Sequence, residues 1–278
     1  MRAEKDRWPH GPVPIDTGTA QLVVARDHPG VTLLINGVPS SFVDPDDPSH
    51  LEFEYQQQMA AVVATLPSGP LRVVHLGGGA CGLARALDAA RPGSRQVVVE
   101  VDARLVELVR TWFDLPRPPA LRMRTTDAAT WLTGARPGLA DVVVRDVFAR
   151  DRVPEDLATV ITARQVARAL TPGGLYLANC VDWPPLSLAR AEAATLGAVF
   201  AHVAVVAETG VLRGRRYGNV VLAASDTSLA AVASSRALRQ GVVPARVLLD
   251  DAVRAFAAAA GPITGARAQR SSAESSGT

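Results

Sequence analysis

Apolar and polar positions change period along the chain. Residues 20–25 and 31–35 are short apolar runs, separated by a turn from Asp27 to Gly30. Asn36-Gly37 follows, and both residues accept positive φ, so the pair closes a tight hairpin. The start of the chain therefore predicts a small β-meander, followed by a Pro- and Asp-rich loop over 40–50. Over 51–66 the apolar spacing becomes helical, and Pro67-Ser68-Gly69-Pro70 ends it. From Leu71 strands and helices alternate. Strands are predicted over 71–76, 96–101, 121–125, 141–147 and 175–181, and helices over 83–90, 103–113, 128–132, 157–170 and 186–196. Asp102 is a suitable N-cap for the second of these helices. Two more strands, 201–207 and 218–224, follow with no helix between them.

This order predicts an α/β fold: a doubly wound, mostly parallel seven-stranded sheet whose last strand runs antiparallel, with a small N-terminal β-domain. The expected division is a β-meander domain over 1–50, a Rossmann-like nucleoside-binding catalytic domain over 51–230, a helical extension over 231–265 and a disordered tail over 266–278.

Composition narrows the class. Nearly half of the 278 residues are apolar and the formal charge is +2. Lys5 is the lone lysine, and the arginines are scattered rather than gathered on one stretch, which argues against a nucleic-acid face. Cys81 and Cys180 sit in no Cys-x-x-Cys pair and near no histidine cluster, so neither a disulfide framework nor a zinc site is expected, and no metal is called for. The first 16 residues lack an apolar signal core, and no window reaches about 18 uninterrupted apolar residues, so no membrane span is expected. A cytoplasmic setting follows as the expectation.

The chemistry gathers at strand ends. Gly77-x-Gly79-x-x-Gly82 joins the first strand of the alternating region to its helix and lets backbone approach a nucleotide. Glu100 lies 23 positions after Gly77, where an acid accepts ribose hydroxyls. Asp127 ends the third strand, either facing an adenine amine or capping a helix. Asp146 ends the fourth and is the candidate to orient an amine and take its proton. His75 and His202 read as core or edge histidines, Asp141 as structural, and Arg213-Gly-Arg-Arg216 as a solvated turn. Asp182-Trp183-Pro-Pro185 reads as one wall of a substrate pocket.

Together these residues resemble the spermidine synthase-like aminopropyltransferases, within the class I adenosylmethionine-dependent (methyltransferase-like) transferase fold. The resemblance runs from about Gln21 to Ser225. Glu52-Phe-Glu-Tyr55-Gln56 is similar to a segment whose last two residues face the substrate amine, and Gln21 stands where that family has a glutamine on the donor nucleoside. Leu76-Gly77-Gly78-Gly79 matches its glycine loop, Val99-Glu100-Val-Asp102 its Glu-x-Asp, Asp127-Ala128 its adenine-side pair, and Asp141-Val-Val-Val-Arg-Asp146 the strand ending in its catalytic Asp. The resemblance implies decarboxylated S-adenosylmethionine or S-adenosylmethionine as co-substrate, a small amine or polyamine acceptor, and a homodimer. The chain departs from the pattern at Ala80 and Ala149, where the family carries acids, and it shows no gate tyrosine over 208–216, so an altered amine site is expected. Glu155, Asp156, Asp151 and Asp182 are the candidates to replace those acids. Methyl transfer from intact S-adenosylmethionine, nucleoside binding without turnover, and a nicotinamide-dependent oxidoreductase are the competing readings.

Overall fold

The structure, a computed structural model, describes residues 8–25, 29–148, 152–241 and 243–265. Lys5, Asp27, Ala149, Arg150, Asp151 and the 266–278 tail lie outside the described residues. Four strands, β1 (Val13–Ile15), β2 (Gly18–Val24), β3 (Val31–Ile35) and β4 (Val38–Val43), form an antiparallel meander in chain order. Asn36 and Gly37 make its tight turn with φ of 53° and 79°. The expected loop over 40–50 begins later than predicted. Ser40 to Val43 belong to β4, whose polar Ser40-Ser41 and Pro39 hide the strand pattern, and a register shift near Leu33 and Leu34 admits the proline.

The second sheet comprises β5 (Arg72–Leu76), β6 (Arg95–Glu100), β7 (Leu121–Thr125), β8 (Ala140–Arg145), β9 (Leu170–Asp182), β10 (His202–Glu208), β11 (Gly218–Ser225) and β12 (Ala245–Leu249). Their spatial order is β12-β10-β11-β9-β8-β5-β6-β7. Strands β5 to β9 pair in parallel, and β11 inserts antiparallel between β9 and β10. The sheet thus has eight strands, one more than the seven predicted. The alanine-rich 231–265 stretch does form helices, Ala230–Ser234, Arg236–Gln240 and Asp250–Ala257, but Val247-Leu248-Leu249 between them pair antiparallel with β10 and cover its open edge. A four-residue helix, Thr209–Leu212, also occupies the connection predicted to lack one.

Strands β5, β8 and β9 are apolar on both faces because helices cover both faces. Helices Glu54–Val63 and Gly82–Ala90 pack on one side, and Ala128–Gly134, Val160–Ala169, Ser187–Gly197 and Asp250–Ala257 on the other. The meander packs Ala20, Leu22, Leu33 and Val43 against Leu105, Leu108 and Val109 of helix Ala103–Trp112. Asp102 ties this contact down: one carboxylate oxygen caps Leu105 N–H at 2.7 Å, and the other accepts from the Thr17 N–H and hydroxyl. The carboxyl ends of β5 to β8 therefore open toward the meander. Among the described residues no helix is long and apolar enough to cross a membrane.

Candidate active site

Where the strand ends meet the meander, they enclose a cavity of about 1020 Å³. Gly77 starts the turn after β5 at φ 90°, and a Cβ there would stand 2.2 Å from the Asp146 carbonyl oxygen. Only glycine lets the β5 and β8 ends approach this closely. At Gly79, φ is 47° and a Cβ would stand 2.3 Å from Ser41 Oγ. Ser41 Oγ in turn accepts the Ala80 N–H at 3.0 Å, so β4 is bound to the glycine turn.

Glu100 is fixed at the end of β6. Its Oε2 accepts the Gly78 N–H at 3.0 Å and its Oε1 the Asp102 N–H at 3.2 Å. Asp127 caps helix Ala128–Gly134 through Oδ1, which accepts the Thr130 N–H at 2.8 Å, and it lines the cavity beside Ala128. The cap and the cavity position coexist on one side chain.

Asp146 sits at the mouth of β8 with both oxygens engaged. Tyr55 donates to Oδ2 at 3.0 Å and Asn179 Nδ2 to Oδ1 at 2.9 Å, while Gln56 Nε2 donates to the Tyr55 hydroxyl at 3.3 Å. Burial raises the Asp146 pKa above the ordinary carboxylate value and outweighs these hydrogen bonds and the positive charge of Arg145. Burial, then the charge of Asp146, pushes the Tyr55 hydroxyl well above its ordinary value, so Tyr55 remains a donor. Beneath them Arg145, fully buried, donates to Glu192 at 2.6 Å and to the Asn179 carbonyl at 3.0 Å.

Nine of the ten site residues proposed from sequence line this one cavity: Tyr55, Gln56, Gly77, Gly78, Gly79, Glu100, Asp127, Ala128 and Asp146. Gln21 is not among the lining residues. The opposite side of the meander holds it: Ala20 pairs with Ile35, which lines the cavity, and strand alternation turns Gln21 and its partner Leu34 the other way. Ala80 is fully buried in the apolar cluster beneath the turn. Asp182 caps Trp183 and Ala189 N–H groups instead of lining the cavity, and Glu155 also lies outside the lining, whereas Asp156 belongs to it. Trp183 forms part of the wall, stacked on Tyr217 at 5.8 Å between ring centroids. Tyr217 directly follows the 208–216 stretch, which itself carries no tyrosine. His75 is a core histidine bonded to Gln96 at 2.9 Å, and burial lowers its pKa to about 4. Cys81 and Cys180 are both buried free thiols.

The lining carries six carboxylates, Glu52, Glu54, Glu100, Asp127, Asp146 and Asp156, and among the described residues no arginine or lysine. In a chain with 29 basic residues this is a segregated negative field.

A probable spermidine synthase from Corynebacterium glutamicum superposes with a TM-score of 0.85 at 40% identity, covering 91% of this chain and 95% of that one. Human methyltransferase-like protein 13, in complex with SAH, superposes with a TM-score of 0.56 at 23% identity, covering 68% of this chain and 93% of that one. A polyamine aminopropyltransferase from Neisseria meningitidis is 24% identical over 135 residues, 48% of this chain and 51% of that protein. The chain thus spans about half the length of the curated relatives it matches. No family model matches it.

An antiparallel strand inserted beside a doubly wound parallel sheet, with a glycine turn and acids at the strand ends, defines the methyltransferase-like α/β fold. Within that fold the chain belongs to the spermidine synthase-like family.

Proposed function

We propose that the cavity takes decarboxylated S-adenosylmethionine and a small amine, and transfers the donor's aminopropyl group to the amine. The observation that carries this reading is the lining charge, six carboxylates with no arginine or lysine among the described residues. A sulfonium and an ammonium are both cations, and a partly enclosed site strengthens their attraction to carboxylates. The carboxylate of intact S-adenosylmethionine would sit in that field without a cationic partner. The diphosphate of a nicotinamide dinucleotide fits worse still, so hydride transfer is set aside.

In this reading Gly77, Gly78, Gly79, Glu100, Asp127 and Ala128 receive the nucleoside, and Tyr55, Gln56 and Asp146 face the amine. Gln21 keeps no part in it. Glu52, Glu54 and Asp156 supply the charge that the family places at the position of Ala80, which is the sense in which the amine site is altered. The meander over 1–50 and the sheet unit over 51–230 act together, since Ser41 closes on the glycine turn. The amine lone pair attacks the carbon next to the sulfonium, the C–S electron pair returns to sulfur, and the nitrogen's proton passes to Asp146. Alignment of the two substrates supplies most of the acceleration.

Calorimetry tests the donor. The decarboxylated form binds more tightly than the intact form, and Glu100→Gln weakens it about ten- to hundredfold by removing charge-assisted hydrogen bonds. Tighter binding of the intact form would turn the reading to methyl transfer. A homodimer and a cytoplasmic setting belong to the same proposal, and sedimentation equilibrium checks the dimer.

A further inference from the structure

The apolar run Val142-Val143-Val144 of β8 ends in a buried charge, Arg145, directly before Asp146. Its guanidinium reaches three separate segments. Nη2 donates to Glu192 Oε2 at 2.6 Å, on helix Ser187–Gly197, and to the Asn179 carbonyl at 3.0 Å, on β9. Nη1 donates to the Leu157 carbonyl at 3.3 Å, in the short helical turn Glu155–Ala158. Asn179 and Leu157 both line the cavity, and Asn179 Nδ2 donates to Asp146 Oδ1 at 2.9 Å. One buried cation thus ties β8, β9 and the 155–158 turn together where they meet around Asp146. A core does not require such a pair, since apolar side chains of similar volume serve stability as well or better. Its neighbour Asp146 gives the pair a reason to be there.

Resting on the aminopropyl-transfer reading, we propose that Arg145 and Glu192 are positioning residues of that reaction: Arg145 keeps Asp146 ionised and fixes the segments around it, and Glu192 sets how much of the Arg145 charge Asp146 feels. Little other positive charge reaches Asp146. From helix Glu54–Val63 it meets the Tyr55 hydroxyl, a neutral donor, with the Gln56 amide behind it. On the neighbouring strand β5, His75 is neutral because burial lowers its pKa to about 4. On β9, Asn179 is uncharged, and burial pushes the Cys180 thiol well above its ordinary value. The other charges of the lining are the carboxylates Glu52, Glu54, Glu100, Asp127 and Asp156. Burial opposes the ionisation of Asp146, and the charge of Arg145 favours it. Glu192 stands one bond further from Asp146 than Arg145 does, so the pair presents its positive end to the site.

The test is the pH profile of kcat/KM for one amine in wild type, Glu192→Gln and Arg145→Met/Glu192→Met. Glu192→Gln leaves the arginine charge uncompensated and moves the acid limb to lower pH, whereas the double variant removes the cation and moves it to higher pH, each by about half a pH unit or more. Titration of the amine is common to all three proteins and cancels in the comparison. The unliganded proteins give a second reading. The melting-temperature gap between each protein and its Asp146→Asn counterpart stops widening at the folded-state pKa of Asp146, and that pH moves in the same two directions. A pair that only holds the core together lowers stability or kcat and moves neither pH. Where Glu192→Gln does not fold, the double variant decides: displacement of both pH values upward supports the assignment, and wild-type values overturn it. Donor binding with no turnover of any amine by wild type overturns the transfer reading itself and this proposal with it.

Discussion

Asp146→Asn lowers kcat by about 10²- to 10⁴-fold, the range for losing a positioned general base, and the variant is at least as stable as wild type at neutral pH. Both halves follow from one fact: burial raises the folded-state pKa of Asp146 above its ordinary 3.8. Below that ordinary value the group is protonated in both folded and unfolded chains and has no effect. Between the ordinary and the raised value the folded protein binds the extra proton, so stability falls as pH rises. Above the raised value the full penalty of a buried charge is present. Asparagine removes that penalty and keeps hydrogen-bonding groups for Tyr55 and Asn179. Thermal melts from pH 4 to pH 8 check the stability half: the wild type loses ground to the variant as pH rises. The activity of the wild type runs the other way, falling as pH drops through the raised pKa because the base becomes protonated. A variant that retains wild-type kcat removes Asp146 from the chemistry.

Arg145→Met destabilises the protein by about 3–5 kcal/mol, the usual effect of stripping one partner from a buried ion pair. Arg145 is fully buried and the Glu192 side chain is 4% exposed, with 2.6 Å between them. Burial works against the charge on Arg145, but the Glu192 carboxylate holds its pKa above the ordinary value, so the guanidinium stays charged. Removing it strands Glu192 in the apolar cluster that includes Cys180 and Ala189. The double variant Arg145→Met/Glu192→Met recovers most of the loss, because the remaining side chains are apolar and of similar volume. Urea titrations of the three proteins check this. A single variant within about 1 kcal/mol of wild type would show the pair to be solvated, against its burial.

Much of the fold and of the site is legible in the sequence. Period-two and helical spacing placed strands β5 to β9 with their helices, because strands buried on both faces are continuous apolar runs such as Val142-Val143-Val144. The glycine turn and the acids at the ends of β6, β7 and β8 lay in register because parallel sheets bring carboxyl ends together. What escaped has physical causes. Strand β12 is five residues inside an alanine-rich stretch, where helix propensity masks an edge pairing made possible by β10. Arg145 and Glu192 are 47 positions apart, and nothing in the sequence marks a buried arginine as paired. Asn179 lies in an apolar strand outside every motif, and its contact with Asp146 comes from the pairing of β8 with β9. Gln21 lies on the strand face turned from the cavity, and a motif gives the residue but not the face of the strand it occupies.

The central claim is tested most directly by incubating the protein with decarboxylated S-adenosylmethionine and a panel of small primary amines, then identifying the products by mass. The expected product is an amine enlarged by one aminopropyl group, formed in step with a neutral thioether nucleoside. An amine that gains only a methyl group, with intact S-adenosylmethionine as the preferred donor, would contradict it.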